Sequence, residues 1–271
     1  FVLYQKIVFS DGKLHVVFCD VGQGDAIFIR TPSGTDILVD GGPDRRVLDC
    51  LGRHMPFWDR RIEMVFLTHP HADHLNGLVD VIERYSVLYF STERLSNTTG
   101  GFETLSSLLK KKEIAPRYLV SGERVHIKDD GTSLGILGPS TTFLSRTSPG
   151  GTIGEGEEFG SLVMRLSFGE FSLLLTGDSQ VPGLTDAGVG AVDVLQVPHH
   201  GSKTGLTGEV LERIRPSLAI ISVGKNNRYG HPNGDILQIL RNKDIKILRT
   251  DENGEVEIIS DGEEWSVKTK R

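Results

Sequence analysis

Thr68-His69-Pro70-His71-Ala72-Asp73-His74 sets three imidazoles and one carboxylate within the six residues from His69 to His74. Imidazole nitrogen binds zinc, iron and manganese-like ions, and carboxylate oxygen suits the harder of them. The apolar run Met64-Val65-Phe66-Leu67 comes directly before, so a buried strand is expected to empty into a loop that presents all four groups. A packing role needs no such density of ligands. The bland alternative is a polar surface loop that is merely rich in histidine. On the metal reading, His69 and His71, two apart on a tight loop, direct both rings at one ion, and Asp73 and His74 face a second. Two ions about 3.5–4 Å apart require an oxygen ligand that touches both. Asp178, following the apolar run Leu173-Leu174-Leu175, stands at another strand end and is placed for that role.

These groups need elements to position them. At 271 residues, 38% hydrophobic and 24% charged, the chain can bury a sizeable core as one large α/β domain or two small ones. Its 32 glycines point to many tight turns between short strands. Leu14–Asp20, Ala26–Arg30 and Ile37–Asp40 read as consecutive strands of a meander, with a turn at Pro32-Ser33-Gly34. The period then changes. Asp44 can cap a helix through Val47, Leu48 and Leu51, and further helices are expected through Leu78, Val79 and Ile82 and over Phe102–Lys112. Strands are expected at Val87–Phe90, Val125–Ile127 and Leu134–Leu137, and a long loop from Pro139 to Gly160.

The theme then repeats. A hairpin joins Ser161–Ser167 to Phe171–Thr176, and Val194–Val197, Leu218–Val223 and Ile245–Leu248 are strands. Helices at Thr207–Ile214 and Asp235–Leu240 separate them, and a last hairpin turns at Glu252-Asn253-Gly254. Each half runs antiparallel strands first and helices alternating with strands afterwards. Two such halves, sheets face to face and helices outside, make a four-layer α/β/β/α sandwich. We read one domain over 1–271, with its core at about 14–259.

Bulk properties exclude some functions. The net charge of −6 argues against a general electrostatic grip on nucleic acid, leaving room for a local basic strip or an ion-neutralised site. No run approaches the ~18 apolar residues of a membrane helix, and Phe1-Val2-Leu3-Tyr4 is too short for a signal sequence. The chain as given therefore reads as soluble, without direct membrane insertion, and as compatible with a piece of something larger. Cys19 and Cys50 are too few for a disulfide framework or a thiolate metal site. Cys19, within Val16-Val17-Phe18-Cys19, is expected to be a buried, inert thiol.

His69-x-His71-x-Asp73-His74, preceded by Val39-Asp40-Gly41-Gly42 and followed by Leu174-Leu175-Thr176-Gly177-Asp178, resembles the metallo-β-lactamase superfamily. Asp20-Val21-Gly22-Gln23-Gly24-Asp25-Ala26, His199-His200-Gly201-Ser202-Lys203 and the stretch from Ser222 to Pro232 narrow it. Together they look like the hydrolase-like domain of the ComEC DNA-internalisation proteins of bacterial competence. The resemblance covers about Leu14 to Ile259. It implies a metallo-β-lactamase sandwich with two divalent ions that hydrolyses phosphodiesters of DNA, single strands foremost, degrading the strand that is not transported. It also implies a membrane DNA channel as the rest of the parent protein, and a position on the extracytoplasmic side.

On this pattern His69, His71, Asp73, His74 and Asp178 are metal ligands, and Asp73 also orients the attacking water. The resemblance makes His199 or His200 a ligand of the second ion, and His199 is favoured. Asp40 is expected to fix a ligand histidine through its free N–H, with Asp20 and Asp25 in similar supporting roles. Ser202 and Lys203 suit a phosphate. His231 is either the last ligand or the general acid. Asn226, Arg228 and Tyr229 would grip a nucleic-acid strand, the Tyr229 ring under a base and Arg228 on a phosphate. A solvated turn is the competing account of that loop. His15, His54 and His126 fall outside the motifs and read as structural or surface residues.

Two other functions stay open: a hydrolase of small phosphoesters or phosphorylcholine-type groups on the same centre, slightly favoured by the acidic charge, and a catalytically inert DNA-guiding module. The wider superfamily supplies another first-ion histidine before Asp178, where this chain reads Phe159-Gly160-Ser161-Leu162. With Ser161 or water filling in, Mn²⁺ is favoured and Zn²⁺ remains possible. Purified protein should therefore lose zinc readily and be stimulated by manganese. Metal analysis showing two tightly retained zincs, with no manganese stimulation, would contradict this.

Overall fold

The computed structural model describes residues 9, 11–128, 130–154 and 160–270. Phe1-Val2-Leu3-Tyr4, and Phe159 with the rest of 155–159, lie outside the described residues. An eight-stranded sheet is ordered β15-β14-β1-β2-β3-β4-β5-β6, and a seven-stranded sheet β13-β12-β11-β10-β9-β8-β7. The first sheet contains β1 (Leu14–Phe18), β2 (Ile27–Arg30), β3 (Asp36–Val39), β4 (Arg61–Leu67), β5 (Ser86–Thr92), β6 (Pro116–Tyr118), β14 (Val256–Ser260) and β15 (Trp265–Thr269). The second contains β7 (Arg124–His126), β8 (Ser133–Gly138), β9 (Val163–Phe168), β10 (Phe171–Leu175), β11 (Val194–Gln196), β12 (Leu218–Ile221) and β13 (Lys246–Arg249).

Each sheet is antiparallel in its first part and parallel in its second. β1 to β3 are antiparallel and β3 to β6 parallel. β7 to β10 are antiparallel and β10 to β13 parallel. Parallel strands need crossovers, and helices supply them: α1 (Arg46–His54), α2 (Ala72–Arg84) and α3 (Gly100–Lys111) on one side, α5 (Val181–Asp186), α6 (Gly208–Ile214) and α7 (Gly234–Arg241) on the other. The alternation of side chains along the strands then divides the core into three layers. Val16, Phe18, Phe66, Leu173 and Leu175 lie between the sheets. Val17, Val65, Leu67 and Leu78 pack under the first helices, and Leu174, Leu195, Val210 and Leu240 under the second. This is the four-layer α/β/β/α sandwich, in one domain.

Three local expectations are corrected. The stretch Pro139–Gly160 is not simply a loop, because Ser140 caps a short helix, α4 (Thr141–Thr147), by accepting from the Phe143 N–H at 3.0 Å. The metal loop ends earlier than expected: α2 begins at Ala72, so Asp73 and His74 stand in a helical first turn. Glu252-Asn253-Gly254 does not turn a hairpin. A short helix, α8 (Thr250–Asn253), is pinned by Thr250 Oγ1, which accepts from the Val223 N–H and donates to the Val223 carbonyl. The chain then crosses to the first sheet, where β14 pairs with β1, and the true hairpin joins β14 to β15.

The cysteines also depart from expectation. Cys19 and Cys50 form a disulfide across 31 residues, with Cα atoms 5.9 Å apart. Cys19 follows β1 and faces the helix layer, where Cys50 sits on the buried side of α1, so the fold brings both to one place. The bond ties α1 to the start of the loop 20–25. Closing a loop of this size contributes about 3–4 kcal/mol by the chain-entropy account. The Cys19→Ser/Cys50→Ser chain should lose stability of that order in denaturant titration, and added reductant should leave its unfolding midpoint unchanged while lowering that of the wild type.

Candidate metal centre

The C-terminal ends of the parallel strands in both sheets converge on Asp178. β4 delivers His69 and His71, and the first turn of α2 delivers Asp73 and His74. β10 ends at Leu175, and Thr176-Gly177 then turn Asp178 inward. β11 leads to a short 3₁₀ turn, Pro198–Gly201, in which His199 and His200 both adopt positive φ, 49° and 55°. Two successive non-glycine residues in that region are strained, and such strain collects at functional sites. The His199 N–H is held by the Gly177 carbonyl at 3.0 Å.

Asp178 is 2% exposed, and each of its oxygens faces a different set of nitrogens. Oδ2 lies 3.6 Å from His69 Nε2 and 3.5 Å from His199 Nε2. His69 Nε2 is in turn 3.0 Å from His71 Nδ1, and His69, His71 and Asp178 each bring a donor atom within 4.8 Å of the others. Oδ1 lies 3.2 Å from His74 Nε2 and 3.5 Å from His200 Nε2, and His200 Nε2 is 3.4 Å from Asp73 Oδ2. His74 Nε2, His200 Nε2 and Asp178 Oδ1 are buried without a hydrogen-bond partner. Buried polar atoms left so are costly, and a cation among them removes the cost. The donor set of imidazole nitrogens and carboxylate oxygens fits two divalent ions.

His200 thus occupies the place for which the motif reading favoured His199. The Nδ1 of His200 lies 3.0 Å from the Ser222 carbonyl, an acceptor only, which fixes the proton on Nδ1 and leaves Nε2 for an ion. His199 faces the other oxygen of Asp178. The Ser161 hydroxyl does not fill the gap beside the first ion, because it lies 3.5 Å from His69 Nδ1, on the far side of that ring, and accepts from the Asp178 N–H. The His199 Nε2 stands on the same side of Asp178 as that of His69.

Behind the rings stand the supporting carboxylates. Asp40, fully buried with φ 59°, lies 2.8 Å from His74 Nδ1 and accepts from both the N–H and the hydroxyl of Thr68. Asp25 sits 3.9 Å from Nδ1 of both His74 and His200 and accepts from Gln196 Nε2 at 2.8 Å. Asp25 is close enough to the cluster to count among possible ligands, but it faces the Nδ1 side, away from the converging Nε2 atoms. Asp20 instead contributes to the negative field around Arg46. Gly24 permits this assembly: a Cβ there would lie 2.2 Å from the Asp73 carbonyl oxygen.

The fields divide the two positions. Burial, reinforced by neighbouring histidines, holds His69 well below the ordinary imidazole pKa, and burial lowers His71. These two are neutral donors. Burial also opposes charge on His74 and His200, yet Asp178 with Asp40 raises His74 well above its usual range, and Asp178 with Asp25 brings His200 to about 9. The second position holds positive charge even as protons. Asp178 remains ionised despite burial because the surrounding histidines pull its pKa well down.

The remaining motif residues lie toward the rim. The His231 ring centroid is 5.7 Å from that of His199 and 6.4 Å from that of His200, and Tyr229 stacks on it at 5.8 Å and 27°. Tyr229 is 55% exposed, with the Arg228 guanidinium 5.1 Å from its ring centroid. Asn226 is exposed. Its neighbour Asn227 organises the loop, accepting from the Tyr229 and His231 N–H groups and donating to the Gly224 and His231 carbonyls. Lys203 is exposed and lies 3.4 Å from Asp235, and Ser202 Oγ is 3.3 Å from Thr204 Oγ1, so neither is drawn into the centre. Thr68, Gln196 and Asn227 were not singled out by the motif reading. Gln196, a polar residue inside the apolar strand Val194–Val197, carried the one readable signal.

A family model described as the metallo-β-lactamase superfamily matches residues 19–225. The chain is 28% identical over 270 residues to ComE operon protein 3 of Bacillus subtilis (strain 168), covering 92% of this chain and 33% of that protein. It is 26% identical over 266 residues to Competence protein ComA of Neisseria gonorrhoeae, covering 94% and 33%. The chain spans about a third of the length of these relatives. Igni18, a metallo hydrolase from the archaeon Ignicoccus hospitalis KIN4/I, shares the fold, with a TM-score of 0.57 at 14% identity over 90% of this chain and 98% of that one. The matched span takes in β2 to β12, and with them most of both sheets and every donor around Asp178, so the chain belongs to the metallo-β-lactamase superfamily.

Proposed function

We propose that the chain is a metal-dependent phosphodiesterase that cleaves DNA, single strands foremost, and that it degrades the non-transported strand during DNA uptake. The observation that carries this reading is the rim: beside the part-exposed Asp73 and His199, the exposed Arg228 and Tyr229 stack onto the half-buried His231. A polar groove of about 560 Å³ continues from His231 along Lys225, Asn226, Asn227 and Arg249, with Asp251 and Glu252 on its wall. An exposed ring offers a base a stacking surface, and the cations beside it offer contacts for phosphates. Competence in the name of one relative agrees with a role in DNA uptake.

His69, His71 and Asp178 Oδ2, with His199 beside them, would hold one ion. Asp73, His74, His200 and Asp178 Oδ1 would hold the other. Such ions supply Lewis acidity toward the phosphoryl oxygens and lower the pKa of water. The chain's own groups do the rest. Asp73 orients the attacking water, Asp40 and Asp25 fix the His74 and His200 rings, and His231 gives a proton to the leaving oxygen. The carboxylate oxygens of Asp73 and Asp178 at the second position favour Mn²⁺, with Zn²⁺ as the alternative occupant.

The disulfide supports an extracytoplasmic site of action, since such bonds persist in oxidising compartments. Among the described residues no helix is long and apolar enough to cross a membrane. We place the channel that would pass the DNA in the rest of a longer parent protein, a reading supported by the chain's spanning about a third of the length of its competence relatives.

Asp73→Ala and Asp178→Ala should each lower cleavage of a single-stranded oligonucleotide by a factor on the order of 10³ in a Mn²⁺, Mg²⁺ and Zn²⁺ series. Tyr229→Ala should weaken oligonucleotide binding about tenfold and spare a small phosphodiester that lacks a base. Undiminished cleavage by either Asp variant would sink the nuclease reading. A wild type that hydrolyses only the small ester would hand the site to small phosphoesters.

Metal binding should also depend on pH. His200 must lose its proton before Nε2 can bind an ion, so affinity should rise with pH up to about 9, with proton release seen by calorimetry in buffers of different ionisation enthalpy. The ion-free chain should behave oppositely. The raised pKa stabilises it fully below about pH 6.5, and that contribution is lost as pH rises through about 9.

A further inference from the structure

A second group of metal-type donors lies under α1, sharing no residue with the Asp178 centre. Cys50, His54 and Glu255 each place one donor atom within 4.8 Å of the others. Cys50 and His54 are four apart on α1 and so share a face of the helix. Glu255 precedes β14, and its Oε1 is 2.6 Å from His54 Nε2. The disulfide puts the Cys19 sulfur one bond away from that of Cys50. Two sulfurs, one imidazole nitrogen and one carboxylate oxygen make a donor set suited to tetrahedral zinc.

We propose that Cys19, Cys50, His54 and Glu255 form a Zn²⁺ site in the reduced chain, closed when the two cysteines join. The cysteines are each 1% exposed and Glu255 is 6% exposed, so an ion there would be enclosed. His54 nevertheless opens onto a cleft of about 300 Å³, lined also by His15, Arg30, Arg53 and Glu257, which gives the ion a way in. Two thiolates, a carboxylate and Zn²⁺ leave one net negative charge, and Arg53 on the second Glu255 oxygen offsets it.

The two states exclude each other. A phosphine reductant gives two electrons to the disulfide and leaves as phosphine oxide, with water supplying the oxygen and the two thiol protons. Zn²⁺ then displaces both protons as the thiolates bind. The disulfide is thus one of two ways to fasten α1 to the end of β1, and zinc is the other.

Co²⁺ titration of the phosphine-reduced full chain tests this. Thiolate-to-cobalt charge transfer absorbs in the near ultraviolet, and with only two cysteines in the chain the band reports this cluster and not the Asp178 centre. The band should saturate at the intensity of one thiolate-bound Co²⁺ per chain, by about three equivalents because the Asp178 centre also takes up the ion, bleach on adding Zn²⁺, and be missing from the oxidised chain and from Cys50→Ser. His54→Ala and Glu255→Gln should each weaken the cobalt affinity about tenfold or more. No band in the reduced wild type, or affinity unchanged in both variants, overturns the proposal. If reduction unfolds the chain, thermal melts decide. Zn²⁺ should raise the melting temperature of the reduced wild type above that of Cys19→Ser/Cys50→Ser at the same zinc concentration, and equal values overturn the proposal.

Discussion

A fully buried carboxylate is the constraint on which the rest depends. Asp178 cannot keep its charge in an apolar interior unless positive charge or ligand-bearing nitrogen surrounds it. His69 and His199 face one of its oxygens, and His74 and His200 the other. These partners come from opposite sheets, so the centre exists only where the two sheets lie face to face. The inter-sheet layer of Phe18, Phe66, Leu173 and Leu175 brings the two sets of strand ends together.

The same constraint explains the unusual backbone near the site. His199 and His200 occupy the left-handed region in succession, as does Asp40. Such conformations survive only when neighbouring bonds over-determine them, and here they do. Gly177 holds the His199 N–H, Ser222 faces His200, and Phe66 and Thr68 hold Asp40. Gln196 links the sheets by reaching Asp25, while its own carbonyl side accepts from the Thr176 N–H. The strain and the polar network belong to one device that aims Nε2 atoms at a common carboxylate.

Beyond the centre, stability and function share the segment from Cys19 to Asp25. Its disulfide end joins α1, and its other end carries Asp25 behind two histidines. Any change in how Cys19 is fastened therefore acts on a loop that abuts Asp73, since the Asp25 N–H bonds the Asp73 carbonyl. The Arg228–Tyr229–His231 loop starts against this same segment, where the Gly224 N–H donates to Gln23 Oε1 at 3.2 Å, and it is shaped by Asn227 rather than by the more conspicuous cation and ring.

Much of this was legible in the chain itself. Alternating and continuous apolar runs marked most strands and helices, and the density of ligands from His69 to His74, with Asp178 after its own strand, located the centre. Those signals are local: a period of two or 3.6, or several donors within one turn. What tertiary structure decided is non-local. Whether His199 or His200 turns inward depends on a strained turn held by Gly177 and Ser222. Whether β14 follows β13 or crosses to β1 depends on Thr250 gripping Val223. The cysteines, 31 residues apart, become partners only because α1 lies across the end of β1. Sequence fixes which groups are available near each strand end, and only the packing of two sheets determines which of their atoms meet.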